Sequence, residues 1–116
     1  MNGVPADISD SPEIEAVFAK IALARQALDV GPLSELEAAV ASDPSNSKAR
    51  FEYSQALYAA DNIEEAVAQL LELFGRDSDW NGGAAKAQLF TIFDALEPND
   101  PIVLNGRRKL SSMIFA

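Results

Sequence analysis

The sequence contains neither cysteine nor histidine. Without cysteine it can form no disulfide, no thiolate zinc site and no redox centre. Without either residue, the most common catalytic nucleophiles and general bases are missing, and no serine stands beside an evident base. We therefore expect a protein that is not an enzyme and that uses no metal and no cofactor.

Positive charge is also scarce, because 9 basic residues face 18 acidic ones and the net charge is −9. A surface this acidic repels nucleic acid and anionic membranes, so neither is expected as a partner. No apolar run reaches the roughly 20 residues that a transmembrane helix needs. The first residues also lack the basic and apolar regions of a signal peptide. These absences favour a cytoplasmic protein.

The composition favours helix, because alanine is abundant and β-branched residues are few. Helix breakers and turn residues divide the chain at residues 31–32, 43–46, 61–62, 75–83 and 98–101. We predict an all-α fold of six helices in three antiparallel pairs, arranged as a right-handed superhelical array. Residues 1–10 read as a flexible lead-in, and residues 11–116 read as one helical domain.

The clearest internal unit covers residues 45–79 and has the length of a tetratricopeptide repeat, about 34 residues. Its two helices carry apolar residues at i, i+3, i+4 and i+7 spacing, which is typical of amphipathic helices. The first helix contributes Ala49, Tyr53, Ala56, Leu57 and Ala60, and the second contributes Ile63, Ala66, Val67, Leu70, Leu71 and Phe74. Such pairs are binding scaffolds rather than catalytic ones.

The second half of the chain also carries a distinctive series of short motifs. They are Glu72, Trp80-Asn81, Ala84-Ala85-Lys86, Gln88-Leu89, Phe93, Ala95-Leu96, Pro98, Asp100-Pro101 and Gly106-Arg107-Arg108-Lys109-Leu110-Ser111-Ser112. This series resembles the C-terminal tetratricopeptide region of YbbN-type thioredoxin-like co-chaperones, also called CnoX. The resemblance covers residues 11–116 and is strongest after Ser45.

Members of that bacterial family join a thioredoxin-fold domain to such a helical region. They bind unfolding or oxidised clients and pass them to the GroEL and DnaK chaperone systems. The resemblance therefore implies a domain that binds clients, docks on chaperones, or does both. The thioredoxin-fold half is absent from this sequence, so the resemblance also implies a fragment of a larger protein.

Two surfaces are candidates for partner binding. The first is the outward side of the first repeat helix, where the repeat class lines its groove: Lys48, Phe51, Gln55 and Tyr58. The second is the C-terminal helix, whose apolar residues exceed what one-sided packing needs and stand beside a basic run: Arg107, Arg108, Leu110, Met113, Ile114 and Phe115. The alternative for either set is packing within the core.

Two other interpretations stay open at this point. The loop that begins at Asp77 matches the opening of a calcium-binding loop, but its twelfth position is Gln88, where a bidentate glutamate is required. We therefore expect no calcium site, with Asn81 capping the fifth helix and Trp80 acting as a packing anchor. The alternative function is a structural or homo-oligomerisation module that positions the missing thioredoxin-fold domain without binding clients.

Overall fold

The computed structural model describes residues 12–29 and 31–115. The predicted lead-in over residues 1–10 lies outside these residues. The described chain forms six α-helices and no strand, which confirms the all-helical prediction. The helices are α1 (Pro12–Asp29), α2 (Leu33–Ser42), α3 (Ser47–Ala59), α4 (Ile63–Arg76), α5 (Ala84–Ala95) and α6 (Pro101–Phe115), with a 3-10 turn (Trp80–Gly82) before α5.

Short polar side chains start two of the helices. The side-chain oxygen of Asn46 accepts a hydrogen bond from the backbone N–H of Ala49 at 3.0 Å, at the start of α3. Asp100 accepts one from the N–H of Ile102 at 2.8 Å, at the start of α6. Each bond satisfies a backbone donor that has no partner within the first turn of the helix.

The start of α5 differs from the prediction that Asn81 caps it. Gly83 occupies the capping position, while Asn81 lies inside the 3-10 turn. Asn81, Gly82 and Gly83 have φ values of 50°, 69° and 86°, so three consecutive residues are left-handed. Glycine and asparagine tolerate this backbone where other residues are strained. Asn81 therefore lies two residues before the position from which a side chain could cap α5.

The core lies around α4, which packs against α3, α5 and α6. Ala66 of the second repeat helix is fully buried. On α6, Gly106 faces the buried ring of Phe93 on α5, and a Cβ at Gly106 would lie 2.7 Å from the ring carbon Cζ. The close approach of α6 to the core therefore depends on the missing side chain at this position.

A buried arginine joins the start of the repeat to its second helix. Arg50 is only 6% exposed. Its guanidinium donates to the side-chain oxygen of Gln69 on α4 at 2.6 Å and to the carbonyl of Pro44 at 3.0 Å. These two bonds compensate part of the cost of burying the charge and tie the α2–α3 turn to α4.

Helix α1 packs chiefly on α5 and α3 rather than on α2, its neighbour in sequence. Ala19 and Leu23 are buried in this contact. Gln26 and Gln88 exchange two side-chain hydrogen bonds of 3.1 and 2.6 Å. Helix α1 therefore contacts the first helix of the repeat and also α5, which follows the repeat.

Candidate protein-interaction site

The C-terminal helix buries one side and exposes the other. Val103, Gly106 and Leu110 recur at i, i+3 and i+7 and face the core. Leu110 is only 3% exposed, so this predicted partner residue contributes to the packing of α6 instead. The three apolar residues after it remain accessible, since Met113 is 37% exposed, Ile114 43% and Phe115 85%.

Two exposed apolar residues, Leu104 and Phe90, were not predicted from the sequence as partner-binding residues. Leu104 is 50% exposed and lies on the same side of α6 as Arg108 and Phe115, which follow it at i+4 and i+11. Phe90 on α5 is 37% exposed. The helical period of α6 carries the signal for Leu104, because Leu104 lies away from the Val103–Leu110 face.

Basic side chains surround these apolar groups. The Arg107 guanidinium lies 5.4 Å from the centroid of the Phe93 ring, and the Lys86 ammonium lies 6.0 Å from that of Phe90. Arg108 and Lys109 are exposed on α6. Cations over ring faces are attracted by the ring quadrupole, which favours a defined position for Arg107. We call Leu104, Arg107, Arg108, Met113, Ile114 and Phe115 the C-terminal surface.

An open cleft adjoins the C-terminal surface. Its volume is about 580 Å³, and its lining comes from the end of α4, the loop before α5 and the end of α6, including Phe74, Gly75, Lys86, Met113 and Ile114. Gly75 lies against the methyl end of Met113, where an added Cβ would stand 3.0 Å away. The cleft can accommodate an apolar side chain of a partner next to a basic residue.

The predicted groove residues on α3 have mixed environments. Lys48 is exposed, whereas Phe51, Gln55 and Tyr58 are partly buried. Phe51 packs against Trp80, with ring centroids 5.3 Å apart and planes tilted by 51°. This contact fits the expected role of Trp80 as a packing anchor. The structure does not bring these groove residues and the C-terminal surface into one site, and the partner role of each set stays a prediction.

Two tyrosines of the repeat, Tyr53 and Tyr58, have raised pKa values. Burial raises the pKa of Tyr53, and the nearby carboxylates of Glu37 and Glu65 raise it further. Burial also raises the pKa of Tyr58, with a smaller effect from Asp61. Both shifts favour neutral phenols, so neither tyrosine is prepared to act as a base near neutral pH.

The loop considered for calcium has other contacts. Asp77 accepts a hydrogen bond from the Ser47 hydroxyl at 2.9 Å, and Gln88 at the twelfth position is buried in its pair with Gln26. Within residues 12–29 and 31–115, no three acidic side chains come together as a metal site would require. In that same part of the chain, every helix is too short or too polar to span a bilayer.

Comparison with known proteins agrees with this architecture. The chain is 28% identical over 115 residues to an uncharacterized protein of Haemophilus influenzae, in an alignment that covers 99% of this chain and 52% of that protein. The chain thus spans about half the length of that relative. No solved structure matches this chain.

The tetratricopeptide repeat family matches residues 26–115, which is most of the chain and includes α2 to α6. Domains of this family generally mediate protein–protein interactions and are typically non-catalytic. The match, the all-helical architecture and the helix–turn–helix pair of α3 and α4 agree with one another. The chain belongs to the tetratricopeptide repeat family.

Proposed function

We propose that this domain is the non-catalytic interaction region of a YbbN/CnoX-type co-chaperone in the bacterial cytoplasm. Its partners would be the chaperones GroEL or DnaK, with GroEL the leading candidate, together with unfolded clients. The proposal is supported by the repeat architecture and by the motif series over α5 and α6, which resembles that family. The domain itself contributes binding, with no chemical step.

The C-terminal surface is the observation that carries this proposal. A helix face that is left exposed in a folded protein is normally polar. Here Leu104, Ile114 and Phe115 are each more than two-fifths exposed on that helix. Arg107 and Arg108 stand among them in a chain of net charge −9. An apolar patch with local positive charge fits an acidic partner surface that has an apolar centre.

The sharpest test compares two equally exposed apolar residues. Phe115 on α6 and Leu28 on α1 are both 85% exposed. We expect Phe115→Asp to weaken binding to purified GroEL at least about tenfold, with the melting temperature unchanged. Leu28→Asp should leave binding unaltered. Equal loss in both variants, or no loss in either, would contradict docking through the C-terminal surface.

A second experiment separates attraction by charge from apolar contact. Arg108 is exposed, whereas Arg107 also packs over Phe93, so Arg108→Glu is the cleaner substitution. We expect Arg108→Glu to slow association with GroEL and to reduce its dependence on salt. Dissociation should change little, since a rim charge mainly steers encounter. An unchanged association rate would show that the basic run has no part in docking.

The groove residues provide a further candidate surface for clients. Lys48 is exposed and Tyr58 is partly exposed, so this part of α3 is accessible, whereas Phe51 packs against Trp80. We propose that Gln55 and Tyr58 add contacts for an unfolded segment. The measurement is client protection from aggregation by a Gln55→Ala, Tyr58→Ala variant, with the Phe115→Asp variant as the comparison. Full protection by the groove variant would exclude this surface.

A further inference from the structure

Helix α1 is apolar on two opposite sides. Its inner side, with Ala19 and Leu23, is buried against α5 and α3. Its outer side exposes Val17 by 50%, Phe18 by 60% and Ile21 by 45%. A helix that is apolar all round is normally covered all round. The exposed side therefore has the character of an interface.

The outer side of α1 has the spacing of a helix-pairing seam. Ile14, Ile21 and Leu28 recur every seven residues, and Val17 and Ala24 fall at the intervening positions. This is the a and d pattern of a coiled coil, in which two helices interlock side chains along a shared stripe. From Val17 to Leu28 the stripe extends about 16 Å at 1.5 Å per residue. We call Val17, Phe18, Ile21, Ala24 and Leu28 the α1 stripe.

We propose that the α1 stripe pairs with the same stripe of a second copy of this chain, with the two helices antiparallel. A heptad stripe is complementary to itself, because the side chains of one copy fit the gaps of the other. This proposal does not rest on the C-terminal surface, which belongs to a different helix. It concerns assembly of the domain rather than its docking on chaperones.

Charge selects the antiparallel orientation. Lys20 and Arg25 are exposed at the two positions that flank the stripe, g and e. In a parallel pair, Lys20 of one copy would face Arg25 of the other twice, and like charges repel. In the antiparallel pair that aligns the whole stripe, Val17 faces Leu28 of the second copy and Ile21 faces Ala24. Lys20 then comes beside Ala27, and Arg25 comes beside the Phe18 ring. A guanidinium near an aromatic face is an attraction.

The size of the stripe sets the strength of the pairing. One short helix pair buries on the order of 1,000 Å², at the low end for specific interfaces. The dimer should therefore be weak and dependent on concentration. Sedimentation of the wild-type chain from about 5 to about 500 µM should show a reversible shift from monomer to dimer. A monomer across that whole range would overturn the proposal.

Matched variants separate this surface from the C-terminal one. Phe18→Asp should raise the dimer dissociation constant at least about tenfold with an unchanged melting curve, since Phe18 is mainly exposed. Phe115→Asp should leave the dimer intact while losing GroEL. Phe18→Asp should keep GroEL binding. If Phe115→Asp dissociates the dimer and Phe18→Asp does not, the α1 stripe is not the interface.

The absence of cysteine permits a direct test of orientation. Val17→Cys and Leu28→Cys chains, one carrying a mass tag, are mixed and oxidised. The antiparallel pair predicts a mixed disulfide and little cross-linking of either variant alone, because residue 17 of one copy lies about 16 Å along the axis from residue 17 of the other, as residue 28 does from residue 28. Cross-linking of either variant with itself would indicate a parallel pair and overturn the stated geometry.

Discussion

Replacing Gly106 by alanine should destabilise the domain, although alanine is the better helix former. The added Cβ would lie 2.7 and 2.8 Å from two ring carbons of Phe93 and 3.4 Å from a methyl of Val67. Phe93 is 2% exposed and belongs to the buried core, so moving its ring away from Gly106 would disturb the packing around it. Overpacking of a fixed core costs about 1–3 kcal/mol, and the gain in helix propensity returns about 1 kcal/mol.

We expect a net loss near 1–2 kcal/mol because the clash is with a buried ring. Thermal unfolding followed by circular dichroism should show a decrease of about 5–10 °C. Gly75→Ala is the matched control, since its Cβ would meet only the flexible end of Met113 at 3.0 Å. That variant should melt at or above the wild-type temperature.

A double-mutant cycle isolates the contact itself. In a Phe93→Leu background the ring is gone, so Gly106→Ala should no longer be destabilising. The coupling between the two positions should then be about 1–3 kcal/mol. If the Gly106→Ala variant melts like wild type, or if the cycle shows no coupling, then close packing of the Phe93 ring does not require glycine at position 106.

Three further predictions concern the repeat. Arg50→Met should lower the free energy of unfolding, measured by urea denaturation, by about 2–4 kcal/mol, because Gln69 and the Pro44 carbonyl lose a charged donor. Arg76→Met, which removes an exposed ion pair with Glu72, should cost no more than about 0.5 kcal/mol. Burial, and then the Glu37 carboxylate, raise the pKa of Tyr53 in the folded chain, so unfolded chains lose the phenol proton first. Stability should therefore fall as pH rises above about 10. Tyr53→Phe should reduce this loss in alkaline melts. Calcium up to about 1 mM should leave Trp80 fluorescence unchanged, and a saturable shift would restore the calcium site.

The helices could be predicted from sequence because their local signals are strong. The stripes of α3 and α4 repeat with the helical period, and Asp100 followed by Pro101 marks the start of α6. Leu110 could also have been assigned to the core, since it follows Val103 by seven residues and lies on the same side of α6. Apolar character alone did not distinguish it from Met113.

The position of α1 could not be predicted in the same way. Both of its sides are apolar, so the periodicity predicts a helix without indicating which side faces the core. Its place is fixed by contacts with α5 that are distant in sequence, such as the Gln26–Gln88 pair, whose members are 62 residues apart. The buried Arg50 has a similar basis, because Gln69 and Pro44 come together only in the folded chain.

The two proposed surfaces should respond to salt in opposite directions. Two copies of this chain repel each other, since each carries a net charge of −9, so screening should favour pairing through the α1 stripe. Docking through Arg107 and Arg108 depends on attraction to an acidic partner, which screening weakens. Raising sodium chloride from about 50 to about 500 mM should therefore strengthen the dimer and slow association with GroEL. Sedimentation and association rates measured on the same wild-type preparation would show both effects. If both interactions changed in the same direction, at least one of them would have been assigned to the wrong surface.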